Sequence, residues 1–162
     1  MAIAVMAWLV AIPLLGAMTG LRTMTPIALL CLFAYDGHLD LDRTWAVWAA
    51  MKVSAIVFCI LAVGELIGDK LPMTPDRTKP FPLAARVVFG GLVGAIAATS
   101  LHGYEIEGIL LASVSAFAGA FLGFHIRHML VVTRGMPAIA VALAEDALAI
   151  GVSLWAIGIV TA

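Results

Sequence analysis

Val63-Gly64-Glu65-Leu66-Ile67-Gly68-Asp69-Lys70-Leu71-Pro72 closes a long apolar run and leads into a Pro-rich turn from Met73 to Pro82. Glu65 and Asp69 are four residues apart, so on a helix they share one face, beside a Gly64/Gly68 pair of the same spacing. An ionisable group at the end of an apolar helix needs a partner, water or a function, because hydrocarbon solvates it poorly. The stretch is therefore expected to end a membrane helix, with its turn at the cytoplasmic face, in the second of three similar helical hairpins.

Composition points the same way. Of 162 residues, 64% are hydrophobic and 12% charged, and the mean hydropathy is +1.12; soluble domains are far more polar. The formal net charge is -1 and the nine basic residues are dispersed, which excludes nucleic acid as a partner. Cys31 and Cys59 lie inside apolar runs, where they act as small packing groups. No cofactor is expected, no His, Cys or carboxylate spacing forms a metal set, and no phosphate loop or nucleophile elbow is present.

Apolar runs fall at about 2 to 18, 25 to 36, 44 to 68, 82 to 101, 107 to 126 and 137 to 161. They predict an all-α polytopic membrane bundle in a single domain, 1–162, with about six transmembrane helices in three hairpins, 2–36, 44–101 and 107–161. The first two runs are short for two crossings, since a bilayer core takes roughly 20 helical residues. The break between them, Thr19-Gly20-Leu21-Arg22-Thr23-Met24-Thr25-Pro26, is either a turn at the surface or an interruption within the membrane. Six crossings is the favoured count.

Seven of the nine basic residues (Arg22, Lys70, Arg77, Lys79, Arg86, Arg127 and Arg134) lie in or beside the three turns from odd to even helices. The other two connections, Asp36 to Arg43 and His102 to Glu107, are acidic. By the positive-inside rule the basic turns face the cytoplasm, and both termini lie outside. Trp45, Trp48 and Trp155 then fall near the outer interface. The pairs Gly16/Gly20, Gly64/Gly68 and Gly119/Gly123 each close an odd helix and are followed by a basic residue and then a Pro. Small residues spaced by four let helix backbones approach, so these glycines are expected to pack helices and to make homo-oligomers attainable.

Glu145 and Asp146 lie about 12 to 14 Å into the last helix. Adjacent on the helix, they are expected to face different neighbours. Glu65, Asp69, Arg86, Glu145 and Asp146 are the candidate cluster. Either they are buried ion pairs that fix helix register, or they line a polar cavity open to the cytoplasm that holds a small ion or proton. Arg22, Lys70, Arg77, Lys79 and Arg127 are candidate contacts for an anionic group or an anionic lipid head group.

Gly20-Leu21-Arg22-Thr23-Met24-Thr25-Pro26, the block Glu65 to Pro72 with Pro75-Asp76-Arg77 and Arg86, and Gly90-Gly91-Leu92-Val93-Gly94-Ala95 together resemble a family of small bacterial inner-membrane proteins, the domain-of-unknown-function family numbered 4126. The likeness covers most of the chain and implies a polytopic membrane protein without assigned catalytic residues. Ala144 to Gly151 is also faintly similar to the carboxylate-bearing helix of membrane phosphatidylglycerophosphatases. The favoured expectation is a transporter or channel-like carrier rather than an enzyme. The alternatives are an enzyme or binding protein for phosphate-bearing lipids and a noncatalytic subunit of a larger membrane complex.

Overall fold

The computed structural model describes residues 7–69 and 79–161. Lys70 and Arg77 lie outside the described residues. Within them the chain is helical and carries no strand. A π-helical turn, Ala7–Ala11, leads into α1 (Ile12–Leu21), and α2 (Met24–Tyr35) follows after two residues. A 3-10 helix, Trp45–Ala50, precedes α3 (Lys52–Gly68). Then come α4 (Pro80–Ser100), α5 (Glu105–His128) with a π-helical extension Met129–Thr133, and α6 (Ala138–Val160).

Proline and left-handed residues mark the boundaries. Pro13 lies in the first turn of α1 and Pro80 opens α4, where no helical N–H is lost. After α2 the chain enters the left-handed region at Gly37 (φ 78°), with the N–H of Gly37 donating to Ala34 O at 3.1 Å and that of His38 to Phe33 O at 2.9 Å. This double bond is a Schellman cap, which a glycine adopts without strain. Helix α4 ends the same way on His102 (φ 52°), with His102 N–H donating to Thr99 O and Gly103 N–H to Ala98 O, both at 3.0 Å.

The apolar run expected over 44 to 68 is two elements. Met51 is extended (φ -77°, ψ 140°) between the 3-10 helix and α3, and Trp48 O accepts both from Met51 N–H at 3.2 Å and from Ser54 Oγ at 2.6 Å, which ties α3 to the bend.

Helix α1 is the centre of the bundle, packed on α5, α4 and α6. A Cβ on Gly16 would come within 2.7 Å of Ala112 Cα, one on Gly20 within 2.7 Å of Ala120 N, and one on Gly119 within 2.9 Å of Ala17 Cα. The matched positions rise together, so α1 and α5 run parallel at backbone contact. Gly94 meets Gly108 and Gly90 meets Ala112, so α4 runs against α5. Helix α2 leaves the break to pack on α3 more extensively than on α1.

The two ends of the bundle differ. At one, Trp45 Nε1 donates to Glu105 Oε1 (2.6 Å) and Thr99 Oγ1 (3.1 Å), and His102 lies 3.4 Å from Asp40. At the other lie the α1–α2 break, the end of α3, the start of α4 and residues 129–137. Three helices, Pro80–Ser100, Glu105–Thr133 and Ala138–Val160, are long and apolar enough to cross a membrane. Helices α1 and α2 are shorter, about 15 and 18 Å.

Candidate functional site

The site forms at the break. Arg22 alone is extended (φ -136°, ψ 106°), and its N–H still bonds Met18 O at 2.7 Å, so α1 stops and α2 restarts almost at once. A break of this kind strands carbonyls at one helix end and amides at the other. Both are satisfied by charged side chains from other helices. Glu65 of α3 accepts from Thr23 N–H on Oε1 (2.8 Å) and from Met24 N–H on Oε2 (2.7 Å). Arg86 of α4 donates through Nη1 to Gly20 O (2.8 Å) and Leu21 O (2.9 Å). Each charge also has the sign favoured by the helix dipole it meets. The two side chains lie 3.9 Å apart.

The side chain of Arg22, fully buried, turns into the bundle. Its Nη1 lies 2.5 Å from Asp69 Oδ2, and its Nη2 lies 2.6 Å from Asp146 Oδ1 and 3.8 Å from Glu145 Oε2. Arg127 of α5 approaches from the outer side, with Nη1 2.9 Å from Asp69 Oδ2 and 3.4 Å from Glu145 Oε2. Asp69 Oδ2 is thus shared by two guanidiniums. Glu145 and Asp146, expected to face different neighbours, both reach Arg22; Glu145 leans further round to Arg127.

The surroundings are nearly dry. The side chains of Asp69, Glu145 and Asp146 are 14%, 10% and 10% exposed, and Arg127, at 26%, forms the open rim. Charges so placed persist only when paired and hydrogen-bonded. Among the described residues no three His, Cys, Asp or Glu are grouped to hold a metal ion.

The cluster proposed from sequence is therefore brought together: Glu65 and Arg86 at the helix ends, Asp69, Glu145 and Asp146 around Arg22. Arg127 joins it. Lys79 is exposed at the start of α4. The glycines divide into two kinds. Gly16, Gly20 and Gly119 pack helices and Gly123 is buried. A Cβ on Gly64 or Gly68 would meet nothing within 4 Å among the described residues, so that pair does not bring two described helices together. The reason is that α3 turns Ala55 and Ala62 inward, the two buried residues of that helix.

Residues 9–160 match a family described as a domain of unknown function, DUF4126. The chain belongs to that family. No curated protein and no solved structure matches it. The matched region of this DUF4126 chain runs from the first turn through α6, so the break and every charge around it lie inside the family domain.

Sequence reasoning missed the backbone role of Glu65 and Arg86, and it missed a set of buried hydroxyls. Thr19, Thr23, Thr25 and Ser153 are all buried in this family member. The three threonines flanking Arg22 were the available signal, since hydroxyl residues compete for backbone groups wherever a helix is interrupted.

Proposed function

We propose that this protein is a small integral membrane transporter or channel-like carrier of the bacterial inner membrane, in which the charges at the α1–α2 break are the transport site. In this reading the three odd-to-even turns face the cytoplasm, α3 to α6 cross the membrane, and α1 and α2 enter together from the outer side. Whether that short pair counts as two crossings or as one re-entrant element, its tip ends on the charges.

The observation that carries the reading is Arg22, fully buried at a helix break and shared by carboxylates from two helices. Buried ion pairs are a poor route to stability alone, because desolvation offsets much of the attraction. Ionisable groups at membrane depth commonly mark ion or proton pathways, and interrupted helices in membranes line sites rather than lipid. Residual exposure at Asp69, Glu145 and Arg127 supports access from the cytoplasmic end.

The test is flux in reconstituted vesicles with Glu145→Gln and Glu65→Gln. Loss of flux in Glu145→Gln supports the assignment. Unchanged flux in both removes it.

A second reading, a subunit that packs into a larger assembly, is favoured by Gly64 of α3 and Gly151 and Gly158 of α6, where an added Cβ would meet no atom of the described residues within 4 Å. Native mass measurement after mild extraction distinguishes it, since a lone monomer would count against a partner on those faces.

A further inference from the structure

The ion-pair network leaves two buried hydroxyls unused. Thr25 is 4% exposed and Ser153 0%, and neither Oγ1 of Thr25 nor Oγ of Ser153 has a hydrogen-bond partner among the described residues. Orphaned hydroxyls in a packed interior are costly and point to bound water or an ion.

Their placement is ordered. Ser153 lies seven residues after Asp146, two turns along the same face of α6 and about 10 Å nearer the tryptophan-bearing end. Ala149, between them on that strip, packs against Met18 and Leu21 of α1, so the strip faces the break. Thr25 lies in the first turn of α2, just past the break, and α2 packs against α6. The hydroxyls thus step away from the carboxylates toward a layer of fully buried Ile12, Leu30 and Ile157.

We propose that Thr25 and Ser153 hold a short file of water molecules that carries protons between Asp146 and that apolar layer, so that the transported ion is the proton. This rests on the transport reading above and names its substrate. Ser153, about 10 Å along α6 from Asp146, is too far from that carboxylate to ligate one cation with it. Arg22 fills the break, and a proton passes it by hopping between oxygens without displacing it.

The step balances simply. A proton from outside water that passes the Ile12, Leu30 and Ile157 layer when that layer parts enters at the Ser153 end and moves along the file, and the Asp146 carboxylate accepts it to become a neutral acid, loosening its contact with Arg22 Nη2. Asp146 then yields it to Glu145 or Asp69, which release it to water at the Arg127 rim. One proton enters, one leaves, and Asp146 returns to its pair. Ile12, Leu30 and Ile157 form the closed outer barrier.

The experiment uses the full-length protein in vesicles of phosphatidylethanolamine and phosphatidylglycerol containing a pH-sensitive dye, with a potassium potential to drive an acid pulse. Wild-type vesicles are expected to acidify faster than protein-free ones. Thr25→Val combined with Ser153→Ala is expected to slow this about tenfold, the rate equivalent of one lost hydrogen bond on the path. Thr25→Ser, which keeps the hydroxyl, retains the wild-type rate. Ser153→Ala alone, one oxygen smaller and well suited to folding, is expected to slow it at least about threefold.

A hydroxyl-free variant as fast as wild type, with Asp146→Asn still blocked, overturns the water file and leaves the transport reading standing. Vesicles that pass radioactive sodium but not protons overturn the proton as substrate. Vesicles that pass neither overturn both.

Discussion

Glu65 and Arg86, on consecutive helices and 3.9 Å apart, hold opposite ends of a single helix break: the carboxylate takes the two free amides of α2, and the guanidinium takes two free carbonyls of α1. Neither can be replaced by its neutral isostere without stranding a backbone group. Glu65→Gln keeps one acceptor oxygen, loses the second and loses the charge. The expected cost is about 1.5–3 kcal/mol, as for hydrogen bonds to a charged group. Denaturant unfolding in detergent measures it, and a loss below about 0.5 kcal/mol would show the break is held by something else.

Arg22→Met removes the cation shared by Asp69, Glu145 and Asp146. Leaving buried carboxylates short of a partner is expected to cost about 3–5 kcal/mol. Combining it with Asp146→Ala should cost less than the sum of the two single changes, with a coupling of about 1 kcal/mol or more. Strict additivity in that double-mutant cycle would mean the 2.6 Å contact carries no energy.

The two kinds of glycine give opposite expectations. Gly20→Ala places a methyl within 2.7 Å of Ala120 N, against helix backbone that cannot yield locally. Overpacking of about 1–3 kcal/mol is expected, with α1 displaced from α5. Gly64→Ala meets open space and should be neutral or stabilising by up to about 1 kcal/mol through helix propensity. Paired thermal melts read both. If Gly64→Ala instead lowers the native mass, that face packs against another copy.

His102 occupies a left-handed cap position that glycine fills at Gly37. Its pair with Asp40 is 3.4 Å long and solvent-exposed, and so adds little. His102→Gly is therefore expected to stabilise the α4–α5 turn by about 0.5–1 kcal/mol. A drop in the melting temperature would assign the imidazole a role beyond the cap.

Helix α4 and the position of α6 were legible because their punctuation is covalent: Pro80 and Pro137 mark where those helices start, and Gly103 follows where α4 stops. Glu65, Asp69, Arg86, Glu145 and Asp146 stood out because a charge inside an apolar run is visible in composition. The bend at Met51 was not, since nothing in Trp45 to Met51 interrupts the apolar pattern. Nor were the caps on Thr23, Met24, Gly20 and Leu21, because every residue carries the same amide and carbonyl, and only the fold decides which are left over. Arg22 marked the break from sequence, but its complete burial depended on how short α1 and α2 are and how α6 passes beside them. Thr25 and Ser153 were unreadable for a related reason: a hydroxyl in an apolar helix normally bonds its own backbone, as Thr19 does to Leu15 O at 2.8 Å.

The long separation in sequence between Arg22 and Asp146 bears on how the chain is made. A polypeptide emerging from the ribosome exposes Arg22 early, its partner Asp69 later, and its partner Asp146 only after more than a hundred further residues. Asp69 and Glu65 of α3 come first, the small-residue bed of α5 next, and the contact with Asp146 is completed only when α6 arrives. The element written first is thus the last to be locked in place, and biogenesis of this bundle must tolerate an immature N-terminal region until the final helix is made.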